Sequence, residues 1–153
     1  MDVKYVNPFL EAFTSVMPQL GFQNVNKTNV SVEKQEIKKA GVVIIVGIVG
    51  AIKGNVVYCI DLEGAKNVAS TMMMGMPINE FDEMAQSALS ELANMLTANA
   101  ATIFFGQGIH IDISTPAVLF GDDITIKMSS SQVLCIRLTA DQIPIEINIA
   151  FEH

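Results

Sequence analysis

The chain has 153 residues, 50% of them hydrophobic and 16% charged, with 9 Lys+Arg against 16 Asp+Glu and a mean hydropathy of +0.41. Such a composition excludes intrinsic disorder, which needs few apolar residues and much charge, and fits one domain spanning residues 1–153 that buries a core without disulfides or a metal. The net charge of −7, with Arg137 as the only arginine, excludes a nucleic-acid binder and a polybasic membrane anchor, because both need a basic face.

The chain opens MDVKYVNP, with an acid at the second position and no apolar stretch, so no signal peptide is expected. Asn7-Pro8 reads as an N-cap followed by proline at the first helical position. Phe9, Leu10, Phe13, Val16, Met17 and Leu20 then recur at helical spacing, and the helix is expected to end near residues 18–21. Residues 28–62 change to a strand pattern, predicting two or three antiparallel strands with short connections. The run VVIIVGIVGAI at 42–52 falls short of the ~20 apolar residues of a spanning helix. Gly47 and Gly50 interrupt it and Lys38, Lys39 and Lys53 bracket it, so it reads as a buried strand with bends, and no membrane contact is expected. Gly54-Asn55 is expected to turn into the next strand. Cys59 and Cys135 match no metal or redox spacing and read as reduced core thiols, which places the protein in the cytoplasm. Residues 63–74 form a short helix closed by Gly75 and Pro77.

The strongest helical pattern is expected to begin at Asn79, with Asp82 at capping-box spacing, and to run to about Phe105 before Gly106 and Gly108. The period then returns to two across residues 109–113, 124–129, 132–140 and 143–151. In the last of these Ile143, Ile145, Ile147, Ile149 and Phe151 share one face, while Glu146, Asn148 and Glu152 share the other. The order of elements suggests two related halves, each a long helix plus a β-meander. Fold class is thus α/β in the α+β sense: a mainly antiparallel sheet covered by helices, without the strand, glycine-rich loop and helix of a nucleotide site.

Familiar catalytic constellations lack their residues. His110 sits in an alternating strand and His153 is the last residue, which leaves little for a triad or a metal site. Asp122-Asp123 reads as a solvated, glycine-flanked turn. On the helix of residues 79–105, Leu89, Leu92, Ala93, Leu96, Ala100 and Ile103 gather on a core-facing side. Ser87, Glu91 and Asn94 fall together on the opposite side, with Ala98 one turn on. By pattern alone, an ordinary solvated helix face is the simpler reading.

The spacing Ser87-x3-Glu91-x2-Asn94, followed after 21 residues by Pro116, resembles the signature of the CheC/CheX/FliY family of chemotaxis phosphatases. The likeness extends over nearly the whole chain, through the opening VNPFLEAF helix, the strands before a Met-rich short helix, and the closing strands. It implies a CheC-like fold and hydrolysis of the aspartyl phosphate of a CheY-like response regulator. By the resemblance, Glu91 would meet the regulator's active-site lysine and Asn94 would hold the attacking water, while Ser87 and Pro116 support the helix and the strand after it. The first helix shows no Glu-x2-Asn, so the site is expected once, in the second half, which is the CheX pattern and implies a homodimer. Such chemistry asks for no nucleophile or cofactor of the chain's own. Aspartyl phosphate is activated, and its Mg2+ and lysine belong to the regulator. A second reading is a non-catalytic dimeric module that binds a response regulator or a flagellar switch component.

Overall fold

The computed structural model describes residues 3–152; His153 and the first two residues lie outside the described residues. After a short turn of 3-10 helix at Val3–Tyr5, the elements are α1 (Asn7–Gln19), β1 (Val25–Glu33), β2 (Glu36–Gly50), β3 (Gly54–Ile60), α2 (Leu62–Met72), α3 (Glu83–Gly106), β4 (Ile111–Ile113), β5 (Ala117–Lys127), β6 (Val133–Ala140) and β7 (Ile143–Phe151). The strands form one antiparallel sheet in the order β1-β6-β7-β3-β2-β4, with β5 also paired to β2. The α+β class and the largely antiparallel sheet expected from the period-two runs are therefore observed.

The two halves exist, but they are not meanders. Each begins with a helix and ends with a hairpin, β2–β3 in the first half and β6–β7 in the second, and the hairpins meet along β3 and β7. The leading strand of each half crosses to the other: β1 pairs β6, and β5 pairs β2. Each half thus completes the sheet edge of its counterpart, which ties residues far apart in sequence into one core.

The helices cover one face. Val42, Ile44, Val46 and Ile48 of β2, Tyr58 of β3, Ile136 of β6 and Ile145, Ile147 and Ile149 of β7 pack there against Phe9 and Phe13 of α1 and Leu89, Leu92 and Leu96 of α3. The alternation of β7 behaves as its sequence predicts, with Asn148 and Glu146 on the other face. That second face is covered too. Beyond Val42, which pairs with the last residue of β3, the β2 and β5 strands continue as an arm, and its Ile37 and Ile126 pack with Val43, Val57, Cys59 and Val133. Lys39 of the arm reaches Glu146 of β7 at 2.6 Å, and Glu146 also meets Arg137 Nε at 3.4 Å.

Four local expectations are corrected. Asp122-Asp123 is not a turn: the pair lies inside β5, where two residues oppose Ala40 alone in a β-bulge. Gly41 beside it has φ +112°, and a Cβ there would stand 2.6 Å from the carbonyl oxygen of Ile60, so only glycine fits. Gly54-Asn55 begins β3 rather than a turn. The N-cap of α1 is Val6, not Asn7, and its carbonyl accepts from Phe9 and Leu10. Finally, α3 starts at Glu83, because Asp82 supplies the cap by accepting from Ala85 N at 3.0 Å, which leaves Asn79 outside the helix.

Candidate functional site on α3

The outer face of α3 is built from its inner one. Ala85, Leu89, Leu92, Ala93, Leu96, Thr97, Ala100 and Phe104 are buried, which fixes the roll of the helix. Its ends are held as well. Gln86 Nε2 donates to the Phe81 carbonyl at 3.1 Å at the start, and Ile109 N donates to the Phe104 carbonyl at 2.9 Å at the finish. With Glu83 in the first turn, charge there also suits the helix dipole.

On this scaffold Ser87 and Glu91 are exposed and Asn94 is half-buried, all on one line. Positions three and four apart on a helix put their Cβ atoms about 5–6 Å apart, so a carboxylate and a carboxamide stand side by side. Among the described residues, none of the three side chains has a hydrogen bond or ion pair. The half-buried Ala98, one turn on, adds no bulk above Asn94. An exposed carboxylate with no partner suits a cation brought by another molecule, and a carboxamide can accept from water while donating to an anionic oxygen.

Pro116 is half-buried in the break between β4 and β5, which follow one another along the same edge of β2. There Ser114 Oγ accepts from Gly47 N at 2.7 Å and Ser114 N donates to the Gly47 carbonyl at 2.9 Å, holding the break to β2. Pro116 thus lies on another element than Ser87, Glu91 and Asn94, on a strand track that also packs against α3.

Two features went unread in the sequence. Thr97 is fully buried and donates to the Ala93 carbonyl at 2.7 Å; its oxygen lies 2.8 Å from the Tyr58 hydroxyl, which is therefore the donor. No sequence pattern marks a pairing between residues 39 apart. The other is Asn7-x3-Glu11-x2-Thr14 in α1, which repeats the α3 spacing with threonine in the last place. Its Thr14 hydroxyl is turned back onto the carbonyls of Leu10 and Glu11, each at 3.1 Å, so it does not project as a carboxamide would.

Elsewhere the titratable groups are structural. Burial pushes the Cys59 thiol up to about 12 and the Cys135 thiol up to about 11, and both cysteines are free. The Arg137 guanidinium donates to Glu33 at 2.9 Å and holds its carboxyl below the usual range. His110 is exposed, beside the Phe105 ring and 3.7 Å from Asp112, just ahead of β4. Among the described residues, no three His, Cys, Asp or Glu side chains gather as a metal site would require, and no helix is long and apolar enough to cross a membrane.

A family model described as Chemotaxis phosphatase CheX matches residues 42–139. The CheY-P phosphatase CheX of Thermotoga maritima is 35% identical over 128 residues, covering 83% of this chain and 82% of that one. Among solved structures, the CheX of the CheX–CheY–BeF3–Mg2+ complex from Borrelia burgdorferi superposes with a TM-score of 0.85 at 28% identity, covering 99% of this chain and 100% of that one. A CheC-like superfamily protein from Shewanella sp. PV-4 gives 0.88 at 25% identity, with both chains covered in full.

Proposed function

The chain belongs to the CheX family of chemotaxis phosphatases, and from that premise we propose that it hydrolyses the aspartyl phosphate of a CheY-like response regulator, using Glu91 and Asn94. One observation carries the site assignment: on the outer face of a helix held at both ends, an exposed carboxylate and a half-buried carboxamide stand adjacent, with no partner among the described residues. The matched protein from Thermotoga maritima bears the name of this activity, and the Borrelia burgdorferi relative was solved with CheY, BeF3 and Mg2+, where BeF3 stands in for a phosphoryl group.

In this reading α3 enters the regulator's phosphorylation site. Glu91 meets the lysine there, and Asn94 reaches the phosphoryl group. Its amide oxygen accepts from a water and its NH2 donates to a phosphoryl oxygen, so the water lies in line with the scissile P–O bond. Water attacks phosphorus, the bond to the aspartyl oxygen breaks, and inorganic phosphate and a free aspartate result. The regulator supplies the Mg2+ that takes up charge, and this chain brings no metal or cofactor. Ser87 and Pro116 support α3 and the edge beside it. A substrate of this kind places the protein in the cytoplasm. We further propose a homodimer joined through one of the strand edges that β1 and β5 leave open, where Val32 on one and Leu119 and Phe120 on the other are exposed.

The test is the loss rate of phosphorylated regulator with Mg2+ present. Adding this protein is expected to accelerate it well beyond the regulator's own rate. Docking without acceleration would overturn the reading and leave a binding module in its place.

A further inference from the structure

Resting on the reading above, we propose that Met74, Met76 and Met84 form an apolar docking platform for the regulator, setting how tightly it binds while Asn94 sets how fast it is hydrolysed. All three are exposed, at 97%, 52% and 57%. Met76 and Met84 line one cavity of about 420 Å³ together with Met73, Pro77 and Ile78 and with the polar Asn79, Glu80 and Asp82. Met84 lies three residues before Ser87 and seven before Glu91, so it continues the same face of α3 about 10 Å down the axis. Met84 thus links the cavity to the face of α3 that carries Ser87 and Glu91.

Met74 adds a second observation. Its φ is 61°, in the left-handed region that non-glycine residues seldom adopt. Hydrogen bonds from Met74 N to the Thr71 carbonyl at 3.2 Å and from Gly75 N to the Ser70 carbonyl at 2.8 Å fix the chain there, at the end of α2. A backbone conformation that costs stability is held while the side chain is presented almost wholly to solvent.

The polar pair cannot supply the affinity alone. An exposed ion pair strengthens binding by no more than about five-fold, while a micromolar complex needs about a million-fold over the 1 M reference. The remainder has to come from apolar anchors that lose water on contact. Methionine fits that task because its unbranched, polarisable side chain adapts to a partner's surface. The occupant is the regulator's apolar surface next to its phosphorylated aspartate, rather than a second copy of this chain. Glu80, Asp82 and Glu83 are exposed around the platform. That acidic rim complements a lysine-bearing site and would repel its own copy.

The experiment compares wild type with a Met74→Gln/Met76→Gln/Met84→Gln variant, which changes neither charge nor side-chain length by much, and with Met74→Gln alone as the variant least able to disturb folding. Steady-state hydrolysis of phosphorylated regulator is expected to show KM raised at least ten-fold in the triple variant with kcat within two-fold of wild type. Titration against regulator activated with BeF3 and Mg2+ is expected to show the same loss of affinity. An unchanged KM and unchanged affinity, with wild type active, would overturn the platform, as would a change confined to the oligomeric state. If wild type itself fails to hydrolyse the regulator, the functional reading falls, and the BeF3 titration alone decides whether the methionines dock it.

Discussion

The Tyr58 hydroxyl of the sheet donates to the buried Thr97 hydroxyl of α3 at 2.8 Å, three residues beyond Asn94. Thr97 donates its own hydroxyl hydrogen bond to the Ala93 carbonyl, so the order of donors is fixed. The two ends of this chain of bonds are not equivalent.

Thr97→Val leaves the Tyr58 hydroxyl buried with no acceptor, at a cost of about 1–3 kcal/mol. Tyr58→Phe removes only a donor to an oxygen that is already engaged, and is expected to cost about 1 kcal/mol. Denaturant unfolding of the two variants checks the order.

Asn94→Ala is expected to lower kcat about 100-fold or more while leaving binding measurable, because the missing amide sets the position of the water rather than the contact area. Glu91→Ala is expected to raise KM several-fold as well. The α1 substitution Glu11→Ala, which alters the matching spacing that ends in Thr14, is expected to leave both parameters unchanged. Phosphate release over a range of regulator concentrations separates the three.

The second sheet face predicts a decline in stability on the alkaline side. Cys59 and Cys135 are raised in the folded chain by burial, to about 12 and about 11, from an ordinary value of 9.0. Above pH 9 the unfolded chain releases these protons while the folded chain keeps them, so stability falls as pH rises from 9 through 11 and 12. Equilibrium unfolding across pH 8–10.5 is expected to show this slope, shallower in Cys59→Ala and in Cys135→Ala. Alkylation of native protein at pH 8 is expected to be slow at both thiols and to become rapid in denaturant.

Glu146 clips the arm of β2 and β5 to the sheet through Lys39 and Arg137. Glu146→Ala leaves Arg137 with Glu33 but releases Lys39, and the expected loss is about 1 kcal/mol, since both groups are partly solvated. Amide exchange is expected to speed up at Ile37 and Ile126 of the arm and not at Leu92 of α3.

Much of this was legible along the chain. The core stripe of α3 emerged from a period of 3.6, with Leu89, Leu92 and Leu96 buried as expected and Ile103 partly so. Ser87, Glu91 and Asn94 share a face for the same reason, since spacing within one helix decides which side chains are neighbours. Asn79 and Asp82 are both good cap residues, so local sequence does not separate the two possible starts of α3. Tertiary packing chose between them by burying Phe81 against Phe120, with ring centroids 5.2 Å apart. Glycine and aspartate favour bulge and turn alike, so the Asp122-Asp123 bulge carries no local mark that separates it from a turn.

Sequence by itself determined the order of helices and strands in outline and the polar line on α3, because both rest on residues a few positions apart and on a periodicity that side-chain geometry imposes locally. Only the tertiary structure decided that β1 joins β6 and β5 joins β2, and that Tyr58 meets Thr97. Those pairings join residues distant in sequence, each held by contacts too weak to leave a local signature, and they become definite only when the whole core closes around them.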